Sequence, residues 1–153
     1  MAAVLAACGF QLRGDAPTGL DTVFISSDKP SLVAVDIRRT LAASKTRITK
    51  TAPEAQAHVR ITEENREKTI FTINTAGRVY EYRLRLLVSY QVSVTGQEDP
   101  IVPPSTIDIN RVVTYSESAP VAKEAEEQLL YRDMVAEASG QILRRIATVR
   151  RPS

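Results

Sequence analysis

Between Val79 and Val94 the chain alternates with a strict two-residue period. Tyr80, Tyr82, Leu84, Leu86, Val88, Tyr90, Val92 and Val94 interleave with Glu81, Arg83, Arg85, Ser89, Gln91 and Ser93, and Leu87 is the one large apolar residue on the polar side. Only an extended strand collects all of those apolar groups on one face; a helix would spread them around its circumference. The preceding run, His58 to Ile73, is also rich in alternation, and Asn74, Thr75, Ala76 and Gly77 separate the two. Two such runs joined by a short glycine-containing turn predict a long β-hairpin. An apolar sheet face of that length has to be covered by other elements of the chain.

The covering elements are also legible. Thr22 to Ser26 is a short β-branched and aromatic run that predicts a first strand. After it, Ser27 or Asp28 can cap a helix with Pro30 in its first turn and Val33, Ile37 and Leu41 on one face, ending near Ser44. Thr46 to Gln56 reads as connection, in which Arg47-Ile48-Thr49 is compatible with a short edge strand. Thr95 to Ser105, with Gly96, Pro100, Pro103 and Pro104, predicts a loop. A further strand then places Ile107, Ile109, Val113 and Tyr115 together, interrupted by Arg111. From Ser118-Ala119-Pro120 to Ala147 a long helix carries Leu130, Met134, Ala138, Ile142 and Ile146 at four-residue intervals, flanked by Val135 and Leu143. The prediction is an α+β fold: two helices packed on one face of a roughly four-stranded mixed sheet, a two-layer sandwich. Residues 21–149 form the single domain and 150–153 a tail.

Catalysis or metal binding would require a constellation of reactive side chains, and the sequence offers none. The single histidine, His58, has no Cys or His neighbour and reads as a surface or edge residue. No phosphate-cradling glycine motif, GxSxG or HExxH occurs, and the six glycines are too scattered to make one. The pairs Glu63-Glu64 and Glu126-Glu127 read as solvated. A net charge of +2 with no Trp gives little footing for nucleic acid. Arg144, Arg145, Arg150 and Arg151 cluster around the end of the last helix, where cations offset its dipole. Arg83 and Arg85 differ, because they share the non-core face of the central strand, with Arg78 at the hairpin turn just before them. That face is either solvated, packed inside another protein, or turned to an anionic ligand that guanidinium forks would suit.

The only cysteine, Cys8, ends an opening run of small and apolar residues, Met1-Ala-Ala-Val-Leu-Ala-Ala. One cysteine makes no internal disulfide. Leu5-Ala6-Ala7-Cys8 resembles the bacterial lipobox, which implies a lipid anchor at Cys8, diacylglycerol on sulfur plus an N-acyl chain, with no other cofactor. The bland alternative is a small buried thiol in a first strand. Residues 1–7 are then a residual signal peptide, shorter than the roughly 15 to 30 residues of a secretory signal, and residues 8–20 a lipidated N-terminal segment. Gly9, uncharged after the cysteine, implies sorting to the outer membrane in preference to the inner one.

Read in order, several segments resemble the LptE family of lipopolysaccharide-assembly lipoproteins. Leu5-Ala-Ala-Cys8-Gly9-Phe10-Gln11-Leu12-Arg13 is similar to its processed N-terminus, and Ala76-Gly77-Arg78 with Glu81-Tyr82-Arg83-Leu84 to its glycine turn and following strand. Arg111 to Tyr115 resembles its last strand, and Glu127-Gln128-Leu129-Leu130 through Gln141-Ile142-Leu143-Arg144-Arg145-Ile146 its C-terminal helix. The resemblance spans Leu5 to about Val149. It implies a non-enzymatic lipoprotein, anchored to the inner leaflet of the outer membrane, that plugs and helps assemble the β-barrel LptD and assists lipopolysaccharide delivery. It also implies lipopolysaccharide binding near the hairpin turn and the start of the last helix. Thr75 and Glu124 occupy the aligned positions, so Arg78 and Lys123 beside them become the candidates, with Arg83 and Arg85 on the sheet. A different class, a lipoprotein carrier holding an amphiphile in an apolar cavity, predicts a sizeable pocket between helices and sheet.

Overall fold

The computed structural model describes residues 18–149. In chain order these form β1 (Thr22–Ser27), α1 (Leu32–Ala42), β2 (Arg47–Ile48), a single 3-10 turn (Ala52–Glu54), β3 (Ala57–Ile73), β4 (Val79–Val94), β5 (Val102–Thr114) and α2 (Pro120–Val149). The strands make one mixed sheet in the order β2-β1-β3-β4-β5. β1 runs parallel to both β2 and β3, while β3, β4 and β5 form an antiparallel meander. The two-residue β2 brings the sheet to five strands, one more than predicted. Cys8, the leader and the C-terminal tail lie outside the described residues.

The period-two pattern of β4 is realised as the sequence requires. Leu84, Leu86, Val88, Tyr90 and Val92 are buried against the helices, whereas Leu87, of opposite phase, lies on the open face opposite Asp108. Val33, Ile37 and Leu41 of α1 and Met134, Ala138, Ile142 and Ile146 of α2 close over them in one continuous core. Each buried aliphatic side chain contributes roughly 1.5–3 kcal/mol of transfer free energy, so this layer dominates the stability of the domain. Thr18 and Leu20 are buried too, and the Thr46 hydroxyl donates to the Leu20 carbonyl, fixing the chain's entry beside the α1–β2 connection.

Four local expectations are corrected. The helix cap is Ser31, whose hydroxyl accepts from the Ala34 amide, and Pro30 therefore precedes the helix. Asp28 is instead clamped by Arg60 through two hydrogen bonds of 2.9 Å. α1 ends at Ala42, before Ser44, whose hydroxyl bonds back to the Leu41 carbonyl. Strand β5 begins at Val102 and takes Pro103 and Pro104 out of the predicted loop; an edge strand tolerates prolines because its outer side needs no donors. The alternation of β3 also breaks: the register slips between Ile61 and Glu63, so the helix-facing set changes from Ala57, Val59 and Ile61 to Glu64, Arg66 and Lys68.

That bulge has a purpose visible in the packing, since an extra residue re-aims everything after it. Glu64 reaches α1, where its carboxylate accepts from the Ser31 hydroxyl at 2.6 Å and the Val33 amide at 3.1 Å. Arg111, the interruption in β5, is explained similarly. It shares the helix side with Ile109 and Val113 and pairs with Glu137 on α2.

Candidate functional site

Among the described residues, the sheet has one face covered by helices and one open. Along β4 the open face carries Glu81, Arg83, Arg85, Leu87, Ser89, Gln91 and Ser93, and across it pairing brings up Glu67 and Thr69 from β3 and Thr106, Asp108 and Asn110 from β5. Arg85 sits at the centre of this face. It donates twice to Asp108, at 3.0 and 2.7 Å, and once to Glu67 at 3.4 Å. These carboxylates raise the Arg85 pKa, chiefly through the Asp108 hydrogen bonds, and Arg85 in turn lowers that of Asp108. Arg85 is thus a cross-strand staple whose charge is already answered. Arg83 is different: its guanidinium stacks on the Phe71 ring at 4.3 Å, and among the described residues it has no acidic partner.

At the hairpin turn, Asn74 organises the backbone. Its side-chain oxygen accepts from the amides of Ala76 and Arg78, both at 3.0 Å, and Gly77 adopts φ +75°, a left-handed conformation in which glycine avoids the usual Cβ clash. Arg78 extends from this turn to Glu117 at 3.2 Å. Lys123, on the first turn of α2, bonds Thr114 at 2.9 Å and Glu126 at 2.8 Å. The structure therefore brings Arg78 and Lys123 to the same end of the molecule, in two neighbouring grooves of about 310 and 270 Å³ that share Tyr115. Arg83 and Arg85 line a separate groove of about 370 Å³ on the open face.

Sequence reasoning missed Lys68. Its ammonium stands 4.6 Å over the Tyr82 ring and 2.6 Å from Glu127, whose hydrogen bond raises the Lys68 pKa and keeps it charged. Nothing in the β3 pattern marks Lys68 as helix-facing, because its phase is set by the bulge six residues earlier. Around these cations the tip exposes large apolar side chains, Ile70, Phe71, Ile73, Tyr80 and Val121. Positive charge interleaved with exposed apolar surface is the chemistry needed to meet an anionic amphiphile. By contrast, the interior between helices and sheet is filled by Leu84, Leu86, Met134 and Ile142, all fully buried, and the grooves just described lie on the surface.

His58 sits on the open face of the middle strand β3, away from either sheet edge. Its Nε2 is 2.7 Å from the Ser26 hydroxyl, and its ring lies 5.0 Å from that of Phe24. Burial, and secondarily Arg60, lower its pKa below the usual 6.5. A base whose folded pKa is depressed binds protons more readily when unfolded, so its contribution is complete above 6.5 and is lost as pH falls through the folded value. Denaturation midpoints are expected to decline below pH 6.5 less steeply in His58→Gln than in the parent; identical slopes would contradict the assignment.

A family model described as LptE, lipopolysaccharide-assembly, matches residues 20–146. The chain is 25% identical over 150 residues to the LPS-assembly lipoprotein LptE of Pectobacterium atrosepticum, covering 95% of this chain and 80% of that protein. Among solved structures, an uncharacterized lipoprotein B from Nitrosomonas europaea superposes with a TM-score of 0.75 at 27% identity, covering 91% of this chain and 90% of that one. The rare lipoprotein B of Shewanella oneidensis does so with a TM-score of 0.71 at 25% identity, covering 83% and 94%.

Proposed function

The chain belongs to the LptE family of lipopolysaccharide-assembly lipoproteins, and from that premise we propose that it is a non-enzymatic plug and assembly partner of an LptD-type outer-membrane β-barrel. The observation that carries this reading is the uncovered sheet face. Glu67, Arg85 and Asp108, with Ser89 and Thr106 paired at 3.1 Å, give that face a polar, internally bonded surface. A barrel lumen is itself polar and wet, so it suits a face whose central charges are paired and leaves hydrated Arg83, which has no acidic partner among the described residues. No helix among the described residues is long and apolar enough to cross a membrane. Attachment is therefore assigned to acyl chains at Cys8, on the periplasm-facing leaflet of the outer membrane.

Lipopolysaccharide is assigned to the tip end and the adjoining part of the open face. Arg83, on that face, carries the least compensated charge, and Arg78, Lys123 and Lys68 each have a carboxylate partner that an incoming phosphate would displace. The carrier alternative has less support, given the filled interior. The test is recovery of affinity-tagged protein from intact outer membranes after mild detergent extraction. The expected result is stoichiometric co-purification of a large β-barrel; recovery only as a free monomer would sink the proposal.

A further inference from the structure

On the helix side, away from the tip and the open face, two adjoining grooves of about 300 and 490 Å³ run beside α1 and share Leu32, Val35 and Arg66. Leu32 and Val35, on the outer face of α1, are 52% and 54% exposed. Four arginines surround them: Arg38 and Arg39 from α1, Arg66 from β3 and Arg132 from α2.

Among the described residues, the carboxylates lining these grooves, Asp36 and Glu64, are already engaged. Asp36 is bonded by Arg39, and Glu64 accepts from Ser31 and the first turn of α1. Arg66 lies over the Tyr131 ring at 5.1 Å and makes a long ion pair with Glu64 at 3.9 Å, whose carboxylate is mainly committed to the first turn of α1. Arg38 spends one nitrogen on the Ile25 carbonyl, which leaves its charge uncancelled. Arg132 is exposed and has no ion pair among the described residues. Four guanidinium groups against two committed carboxylates leave a positive rim around an apolar floor.

We propose that this groove docks an acidic protein segment of the barrel partner, one that places an apolar side chain between Leu32 and Val35 and carboxylates against Arg66 and Arg132. The proposal rests on the plug reading above and names a surface that reading leaves unassigned. Charge complementarity fixes the sign of the occupant, and bidentate geometry favours carboxylate or phosphate. The exposed pair Leu32 and Val35, flanked by arginines, suits a segment that alternates an apolar side chain with carboxylates.

The test compares parent protein with Val35→Glu/Arg132→Glu, both surface positions at which substitution leaves folding intact. With barrel recovered by the parent, the double variant is expected to recover it about tenfold less, at an unchanged melting midpoint. A photoreactive residue at position 35 is expected to crosslink to a barrel peptide rich in Asp or Glu. Equal recovery by parent and variant, or a crosslink to a peptide without acidic residues, overturns the proposal while leaving the plug function standing. Failure of the parent itself to recover barrel refutes the function instead. Sedimentation of the parent, but not the variant, with phosphatidylglycerol vesicles would assign the groove to lipid and also overturn it.

Discussion

Leu86→Ala is expected to destabilise the domain by about 3–4 kcal/mol, read as a lower midpoint in urea with an unchanged slope. Leu86 is fully buried on the interior strand β4, paired with Arg66 on one side and Ile109 on the other, and covered by α2. Truncation removes the transfer free energy of three carbons and leaves a cavity that paired strands cannot close, for which buried leucines lose roughly 2–5 kcal/mol. Domains of this size are stable by only about 5–15 kcal/mol in total. The variant should still fold at low temperature, with a much larger unfolded fraction near growth temperature. A loss under about 1 kcal/mol would mean that the helix layer does not pack on β4 as described.

The second large effect is expected from Glu64→Ala, at about 2–3 kcal/mol. Glu64 is the second member of a two-residue cap: Ser31 accepts from the Ala34 amide, while the Glu64 carboxylate accepts from the Ser31 hydroxyl and the Val33 amide. Removing it forfeits hydrogen bonds to a charged group and leaves a donor in a buried setting without its acceptor. The negative charge at the positive end of α1 is lost as well. Hydrogen exchange should localise the damage to the first turn of α1, and Glu64→Gln should recover part of the loss. Uniform loosening of the sheet with α1 protected would contradict the capping role.

These two residues also mark where the sequence is readable and where it is not. Leu86 belongs to a pattern of period two, and the stripe from Leu130 to Ile146 to one of period near 3.6; both are local, and local periodicity is what one sequence records. The cap of α1 is not local. Ser31 needs Glu64, which lies beyond β2 in the chain, and Glu64 reaches it only because the strand bulges after Ile61. Lys68 escapes notice for the same reason. The entry of Pro103 and Pro104 into β5 escapes because edge position is a property of the finished sheet, not of the residues. The family resemblance points to Arg78 and Lys123, and the polar phase of the central strand to Arg83 and Arg85, yet charge alone does not separate Arg85, held by two carboxylates, from Arg83, stacked on a ring.

The parallel pairing of β1 with β3 carries a temporal consequence. β3, β4 and β5 are consecutive and antiparallel, so they can zip together through short closures, whereas β1 must wait for a strand that begins at Ala57. A chain that emerges amino end first presents its β1–α1 unit before any surface exists to receive it. The meander is then the template, and docking of the early segment the closing step of folding. Until that step the unpaired β1 and the apolar face of α1 stay exposed to the open edges of neighbouring molecules.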